Sequence, residues 1–73
     1  MLRLRVERTI RQISQSQLAK AAGISQTYLT AIERGRLTPG AATRRRLADL
    51  LEVPADELLE EVTVSVTFEA AHV

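Results

Sequence analysis

The segment Ser14–Gly35, SQSQLAKAAGISQTYLTAIERG, contains the clearest signals for the fold. Ser14 is followed three positions later by Gln17, which is typical of a capping box at the start of a helix. Gly23 is typical of the residue that follows a helix, because glycine tolerates the left-handed backbone conformation found there. The pattern therefore predicts a short helix over 15–22.

A second helix begins after Ser25, which is a favourable N-cap residue, and stops before Gly35. It spans 26–34 and is separated from the first helix by a three-residue turn that contains a glycine. Two short helices joined in this way indicate a helix-turn-helix. Ala19 supports that geometry, because two helices cross closely only where the side chains between them are small.

The second helix has an apolar side and a polar side. At about 100° per residue, Leu29 and Ile32 fall on the side that must be buried. The opposite side carries a nearly uncharged polar strip: Gln26, Thr27, Thr30, Ala31 and Arg34. Glutamine hydrogen-bonds adenine, threonine offers a hydroxyl and a methyl group, and alanine contacts the methyl group of thymine. The strip is therefore suited to reading base edges in DNA.

Charge is divided unevenly along the 73 residues. Residues 1–46 contain all ten Lys and Arg residues but only two of the nine acids, a formal charge of +8. Residues 47–73 contain the other seven acids and no Lys or Arg, a formal charge of −7. This division suggests a polyanionic partner for the first part of the chain. A salt-bridged surface without a partner is the alternative.

A first helix is predicted over 3–12, because Val6, Ile10 and Ile13 recur at helical spacing. The alternation of Leu2, Leu4 and Val6 leaves a short N-terminal strand as the other interpretation.

Two more helices are predicted after the central stretch. One spans 41–51 and has Leu47, Leu50 and Leu51 on its apolar side. The other extends from Pro54 to about Glu60, because proline fits best at the first position of a helix.

The final segment, 62–73, has the alternation of a β-strand, with apolar residues at every second position: Val62, Val64, Val66 and Phe68. A single strand leaves its backbone groups unpaired, so it needs a partner. The same segment of a second subunit supplies one and makes the chain a homodimer. A disordered tail, or pairing with another protein, is the alternative. We therefore expect a mainly α, five-helix DNA-binding domain over 1–61 and a dimerisation strand over 62–73.

Three runs of residues resemble the Cro/repressor helix-turn-helix family, also called XRE-like: 13–19 (ISQSQLA), 22–29 (AGISQTYL) and 32–35 (IERG). The similarity extends from about Leu4 to Leu59. It implies a five-helix, lambda-repressor-like domain whose third helix enters the major groove of double-stranded DNA, usually as a dimer. The implied function is a repressor-type transcriptional regulator that acts as a homodimer without a cofactor or a small-molecule effector.

The resemblance also implies roles for individual residues. It places Gln26, Thr27 and Ala31 at base-reading positions, beside Thr30 and Arg34 of the polar strip. It implies DNA-phosphate contacts from the following residues: Gln15, Tyr28, Arg36 and Thr38. Arg8 and Glu33 match a family ion pair that joins helices one and three. The chain departs from the family at Gln12 and Glu52, where many members have glycine, and at Gly40, which replaces a hydroxyl cap.

Other classes of protein fit the sequence poorly. The chain has no cysteine and its single histidine is His72, so we expect neither a metal site nor an enzyme. No apolar run approaches the roughly 18 residues of a membrane span, and the N-terminus lacks a signal-peptide pattern, so we expect a cytoplasmic protein. The rival function is a protein-interaction module, antitoxin-like or adaptor, that binds a partner through its acidic C-terminal segment, with DNA binding secondary.

Overall fold

The computed structural model describes residues 1–62, which form four α-helices and one 3-10 turn. The elements are α1 (Arg3–Ile10), α2 (Gln15–Ala22), α3 (Gln26–Glu33), α4 (Ala41–Leu51) and the 3-10 turn Ala55–Glu57. The bounds of α2 and α4 are those predicted, whereas α1 ends two residues early and α3 one residue early. None of the helices in this part of the chain is long and apolar enough to cross a membrane.

The ends of α2 are fixed by the predicted caps. The Ser14 hydroxyl accepts a hydrogen bond from the Gln17 N–H at 3.0 Å, and the Gln17 side-chain oxygen accepts one from the Ser14 N–H at 2.9 Å. Gly23 follows the helix with a φ of +74°. The start of α3 is capped similarly, because the Ser25 hydroxyl accepts from the Tyr28 N–H at 3.0 Å. Each such N-cap contributes about 1 kcal/mol, so local sequence determines where the two helices begin.

The hydrophobic core lies where the four helices meet. α2 packs against α3 and α4, and α1 packs against α4. The fully buried large side chains come from every helix and from the segment after the 3-10 turn: Leu4, Leu18, Leu29, Ile32, Leu47, Leu51 and Leu58. Leu29 and Ile32 form the inner side of α3, as predicted, and Ala19 is buried on α2.

Two apolar residues used in predicting the helices lie outside the core. Ile10 is 66% exposed, because α1 buries Leu4 instead and ends at Ile10. Leu50 is 39% exposed, whereas Leu47, Ala48 and Leu51 of the same helix are buried. Leu50 lies about 100° around the helix from the centre of that buried group, at the edge of the apolar side.

In place of the predicted fifth helix, the structure has only the 3-10 turn Ala55–Glu57. Its backbone bonding runs three residues back, from the Glu57 N–H to the Pro54 carbonyl at 2.9 Å, and the carbonyl groups that follow it accept from the start of α1. The Leu4 N–H donates to the Leu58 carbonyl at 2.9 Å, and the Arg3 N–H donates to the Glu60 carbonyl at 2.8 Å. The first N–H groups of a helix have no partner within it, so these contacts satisfy donors of α1.

The N-terminus also contacts the residues that lead into the predicted strand. Leu2 and Glu61 form an antiparallel bridge, and the Val62 N–H donates to the Met1 carbonyl at 2.8 Å. The first residue of the predicted strand thus bonds to its own chain. The remaining strand positions, Val64, Val66 and Phe68, lie outside the described residues, so the strand and its pairing across a dimer stay predictions.

Ion pairs surround this junction. Arg3 contacts Glu57 at 3.0 Å and Glu7 at 2.9 Å, Arg11 also pairs with Glu7, and Glu61 pairs with the N-terminal ammonium group. Hydrogen bonds from Arg3 and then Arg11 lower the pKa of Glu7. Because the folded pKa lies below the unfolded one, the contribution of Glu7 to stability is present at neutral pH and is lost as the pH falls through that lowered pKa.

Gln12 and Glu52 adopt the left-handed conformation of the glycines they replace, with φ of +57° and +59°. A non-glycine residue is strained there by about 1–2 kcal/mol. Glycine relieves that strain but costs about 0.5–1 kcal/mol, because it loses more conformational freedom on folding. We therefore expect Gln12→Gly to raise the free energy of unfolding by up to about 1 kcal/mol, measured by urea denaturation. The control Ala21→Gly, at an exposed position inside α2, should lower it by about 0.5–1 kcal/mol. If both changes destabilise the protein equally, Gln12 is not strained.

Candidate nucleic-acid interface

The outer side of α3 is a polar face that is open to solvent. Gln26, Thr27 and Arg34 are exposed, and Thr30 and Ala31 are half-buried. The helical wheel therefore placed all five residues away from the core correctly. We refer to these five residues as the reading face.

Part of the reading face borders a shallow concavity of about 240 Å³. The lining combines four residues of the reading face with one arginine from the following loop: Thr27, Thr30, Ala31, Arg34 and Arg36. No carboxylate is among them. The structure thus brings two guanidinium groups to a polar helix surface, which is the combination that base edges and their flanking phosphates require.

Of the other predicted phosphate-binding residues, Thr38 is exposed in the loop after α3, and Tyr28 is half-buried against the core. Neither lines the concavity. Gln15 is the first residue of α2 and is also half-buried. The structure therefore does not gather these three side chains at one point.

Arg8 and Glu33 form a bidentate ion pair between α1 and α3. The Arg8 Nε lies 2.6 Å from Glu33 Oε2, and Nη2 lies 3.1 Å from Oε1. The remaining Arg8 nitrogen, Nη1, donates to the Ile13 carbonyl at 2.9 Å. The two side chains are only 13% and 2% exposed. The pair therefore anchors the end of α3 to α1.

Sequence reasoning missed one connection, between Gln15 and α3. The Gln15 amide nitrogen donates to Glu33 Oε1 at 2.9 Å, and its side-chain oxygen accepts from the Thr30 hydroxyl at 3.1 Å. An amide group has two N–H donors, so one stays available for a phosphate. Nothing in the spacing of these residues signals the contact, because it depends on the angle between α2 and α3.

The three consecutive arginines of α4 take different environments. Arg45 and Arg46 are both exposed, but Arg46 donates to the Ala22 carbonyl at 2.9 Å and so ties α4 to the end of α2. Arg44 and Arg45 border a second concavity of about 350 Å³ with the following residues: Pro39, Ala41, Ala55 and Asp56. This concavity carries both signs of charge and is separate from the reading face.

Comparison with known proteins agrees with this geometry. A family model described as helix-turn-helix matches residues 4–58. The chain is similar to YazB of Bacillus subtilis (strain 168), an uncharacterized HTH-type transcriptional regulator. The two are 45% identical over 56 residues, which cover 77% of this chain and 81% of YazB.

It is also similar to the immunity repressor protein of Bacillus phage phi105. The identity is 34% over 62 residues, which cover 85% of this chain and 43% of the repressor. The chain therefore spans less than half the length of that repressor.

Among solved structures, the chain is similar to the restriction-modification controller protein C.AhdI from Aeromonas hydrophila. The TM-score is 0.71 at 33% identity, and the match covers 78% of this chain and 86% of the controller protein. A hypothetical transcription factor from Neisseria, NHTF, matches with a TM-score of 0.70 at 28% identity, over 94% of this chain and 73% of that one.

The helices α2 and α3, the apolar side chains buried between them and the outward reading face define a helix-turn-helix domain. The chain belongs to the XRE-type helix-turn-helix family of DNA-binding transcriptional regulators. The relatives described above include a transcriptional regulator, a repressor and a controller protein.

Proposed function

We propose that the protein is a sequence-specific regulator of the repressor type that places α3 in the major groove of double-stranded DNA and acts as a homodimer. The observation that carries the proposal is the reading face: uncharged polar groups on an exposed helix, flanked by Arg34 and Arg36. The major groove admits a helix and presents a distinct pattern of donors, acceptors and methyl groups for each base pair.

The reading face divides into groups of different chemistry. Gln26, at the first position of α3, is free to make paired hydrogen bonds with adenine. Thr27 offers a hydroxyl and a methyl group, and Ala31 offers a methyl group to thymine. Arg34, just after the last helical residue, is the single charge of the face and reaches guanine or a phosphate.

Phosphate contacts hold the helix in register. Arg36 contributes a guanidinium group at the edge of the concavity, and Thr38 and Tyr28 contribute hydroxyl groups. Gln15 contributes the amide N–H that Glu33 does not use. Such contacts carry little sequence information but supply much of the affinity and its dependence on salt.

The first experiment compares Gln26→Ala with Arg36→Ala by fluorescence anisotropy, using a duplex selected from random sequences and a random duplex. Gln26→Ala should weaken binding to the selected duplex by about 1–3 kcal/mol and relax the preference at one base pair. Arg36→Ala should weaken binding to both duplexes alike and reduce the slope of log K against log salt by about one.

Lys20→Ala is the matched control for charge, because Lys20 is an exposed cation at the opposite end of α2 from Gln15. It should change the slope less than Arg36→Ala does. The base-reading assignment is wrong if Gln26→Ala weakens binding to the selected and random duplexes equally.

The dimer is proposed from the alternation of 62–73, whose apolar residues need a partner strand. Two half-sites about one helical turn apart then engage two copies of α3 together. The rival function, a protein-interaction module that uses the acidic segment, has less support. Two of its carboxylates, Glu57 and Glu61, pair with cations of the same chain. A salt titration separates the two functions, because affinity for DNA falls steeply as salt rises.

A further inference from the structure

A chain of hydrogen bonds connects the buried ion pair to the reading face. It runs from Arg8 to Glu33, from Glu33 to Gln15 at 2.9 Å, and from Gln15 to the Thr30 hydroxyl at 3.1 Å. Arg8 and Glu33 are buried at one end. Thr30, at the other end, lines the concavity of the reading face.

The direction of each bond in this chain is set by the chemistry of the groups. A guanidinium group only donates, and a carboxylate only accepts. Glu33 therefore requires the amide nitrogen of Gln15, which turns the Gln15 side-chain oxygen toward Thr30. That oxygen only accepts, so the Thr30 hydroxyl must donate its single hydrogen to Gln15. To a ligand on the outer side, Thr30 can offer only oxygen lone pairs and its methyl group.

We infer that Thr30 is a fixed hydrogen-bond acceptor and selects an amino base on the DNA strand it contacts, with Gln15 as the positioning residue. This inference rests on the proposed function. In the major groove adenine and cytosine present amino groups, whereas guanine and thymine present carbonyl oxygens at the corresponding position. An oxygen whose hydrogen is already used can accept a hydrogen bond from the amino group of adenine or cytosine. Opposite the carbonyl oxygen of guanine or thymine, it would place two acceptors face to face.

The experiment begins with selection of binding sites from random duplexes by the full-length protein and by Thr30→Val. The valine variant keeps the shape of the side chain and removes the acceptor. The base pair whose preference changes between the two selections is the one that Thr30 reads. We expect the full-length protein to select adenine or cytosine there, and Thr30→Ser, which retains the hydroxyl, to keep that preference.

An atomic substitution in the DNA then tests the hydrogen bond itself. Purine replaces adenine, or 2-pyrimidinone replaces cytosine, so that only the amino group is removed. Binding by the unaltered protein should weaken about 3- to 10-fold, the range of one net hydrogen bond. Binding by Thr30→Val should not respond to the substitution.

Gln15→Met tests the positioning role. Methionine has a similar length but neither accepts from Thr30 nor donates to Glu33, so the Thr30 hydroxyl can turn and donate to a carbonyl. The ratio of affinities for amino and carbonyl bases at the Thr30 position should fall about 3- to 10-fold. A merely structural or phosphate-binding role for Gln15 weakens all duplexes equally and leaves this ratio unchanged.

The outcomes separate the inference from the function on which it rests. If no duplex is selected over random DNA at low salt, the proposed function is wrong. The function stands and the inference is overturned by any of three results: Thr30→Val alters no position, guanine or thymine is selected there, or Gln15→Met keeps the ratio. If Gln15→Met does not fold, as judged by circular dichroism, the substituted duplexes test the inference. Their binding is then measured with the unaltered protein and with Thr30→Val.

Discussion

Arg8→Met is expected to lower the free energy of unfolding by about 3–5 kcal/mol, the range for removing one partner of a buried ion pair. The change leaves the Glu33 carboxylate, which is 2% exposed, without its bidentate partner. It also leaves the Ile13 carbonyl without the donor that it has from Arg8. Many domains of this size are only about 5–15 kcal/mol stable, so a large part of the stability is lost. Urea denaturation followed by circular dichroism measures the change.

Arg3→Met provides the matched control for Arg8→Met. It removes the same kind of side chain from the same helix, but Arg3 is 31% exposed and its partner Glu57 is 40% exposed. Its other partner, Glu7, keeps its pair with Arg11. Pairs that face solvent contribute about 0–1 kcal/mol, so the control should cost far less. The double change Arg8→Met with Glu33→Leu should also be milder than Arg8→Met alone, because it leaves no buried charge behind. Equal losses for Arg3→Met and Arg8→Met would mean that the Arg8 pair is not effectively buried.

The sequence predicts those parts of the fold that depend on residues close together in the chain. The capping box of Ser14 and Gln17, the glycine after α2 and the Ser25 cap all act within four residues, and the helices they bound are nearly as predicted. The predicted fifth helix is only a 3-10 turn, and the carbonyl groups after it bond to the start of α1, almost the whole chain away. Local propensity at Pro54 gives no sign of those contacts.

The same distinction holds for the interface. A helical wheel needs only the positions of Leu29 and Ile32 to place Thr30 on the outer side of α3. The contact from Gln15 to Thr30 depends on how α2 and α3 cross, which short-range pattern does not contain. Sequence therefore identifies which side chains lie on the outer side of α3, whereas the structure is needed to say whether the single hydrogen of the Thr30 hydroxyl is already in use.

Truncation after Val62 is expected to weaken binding to a duplex with two half-sites by about 10²–10⁴-fold, the gain that linking two binding modules provides. The helices should remain folded, because the core is built from Leu4 to Leu58 and the Val62 bond to Met1 is retained. The truncated protein should be a monomer. Its affinity for a duplex with one half-site should equal that of the full chain for the same duplex. Sedimentation equilibrium and anisotropy titrations measure the two properties.

Two substitutions test whether the strand acts through its predicted apolar side. Val64→Lys places a charge on the side that the alternation predicts to be buried, and burying an unpaired charge is strongly unfavourable. It should therefore reproduce the truncation, whereas Ser65→Lys, on the opposite side of the predicted strand, should leave the dimer intact. Two sedimentation results contradict the dimer: a full-length chain that is monomeric at micromolar concentration, or a truncated chain that stays dimeric. In the first case, the predicted strand has some partner other than a second copy of itself. In the second, two copies associate through the helical domain itself.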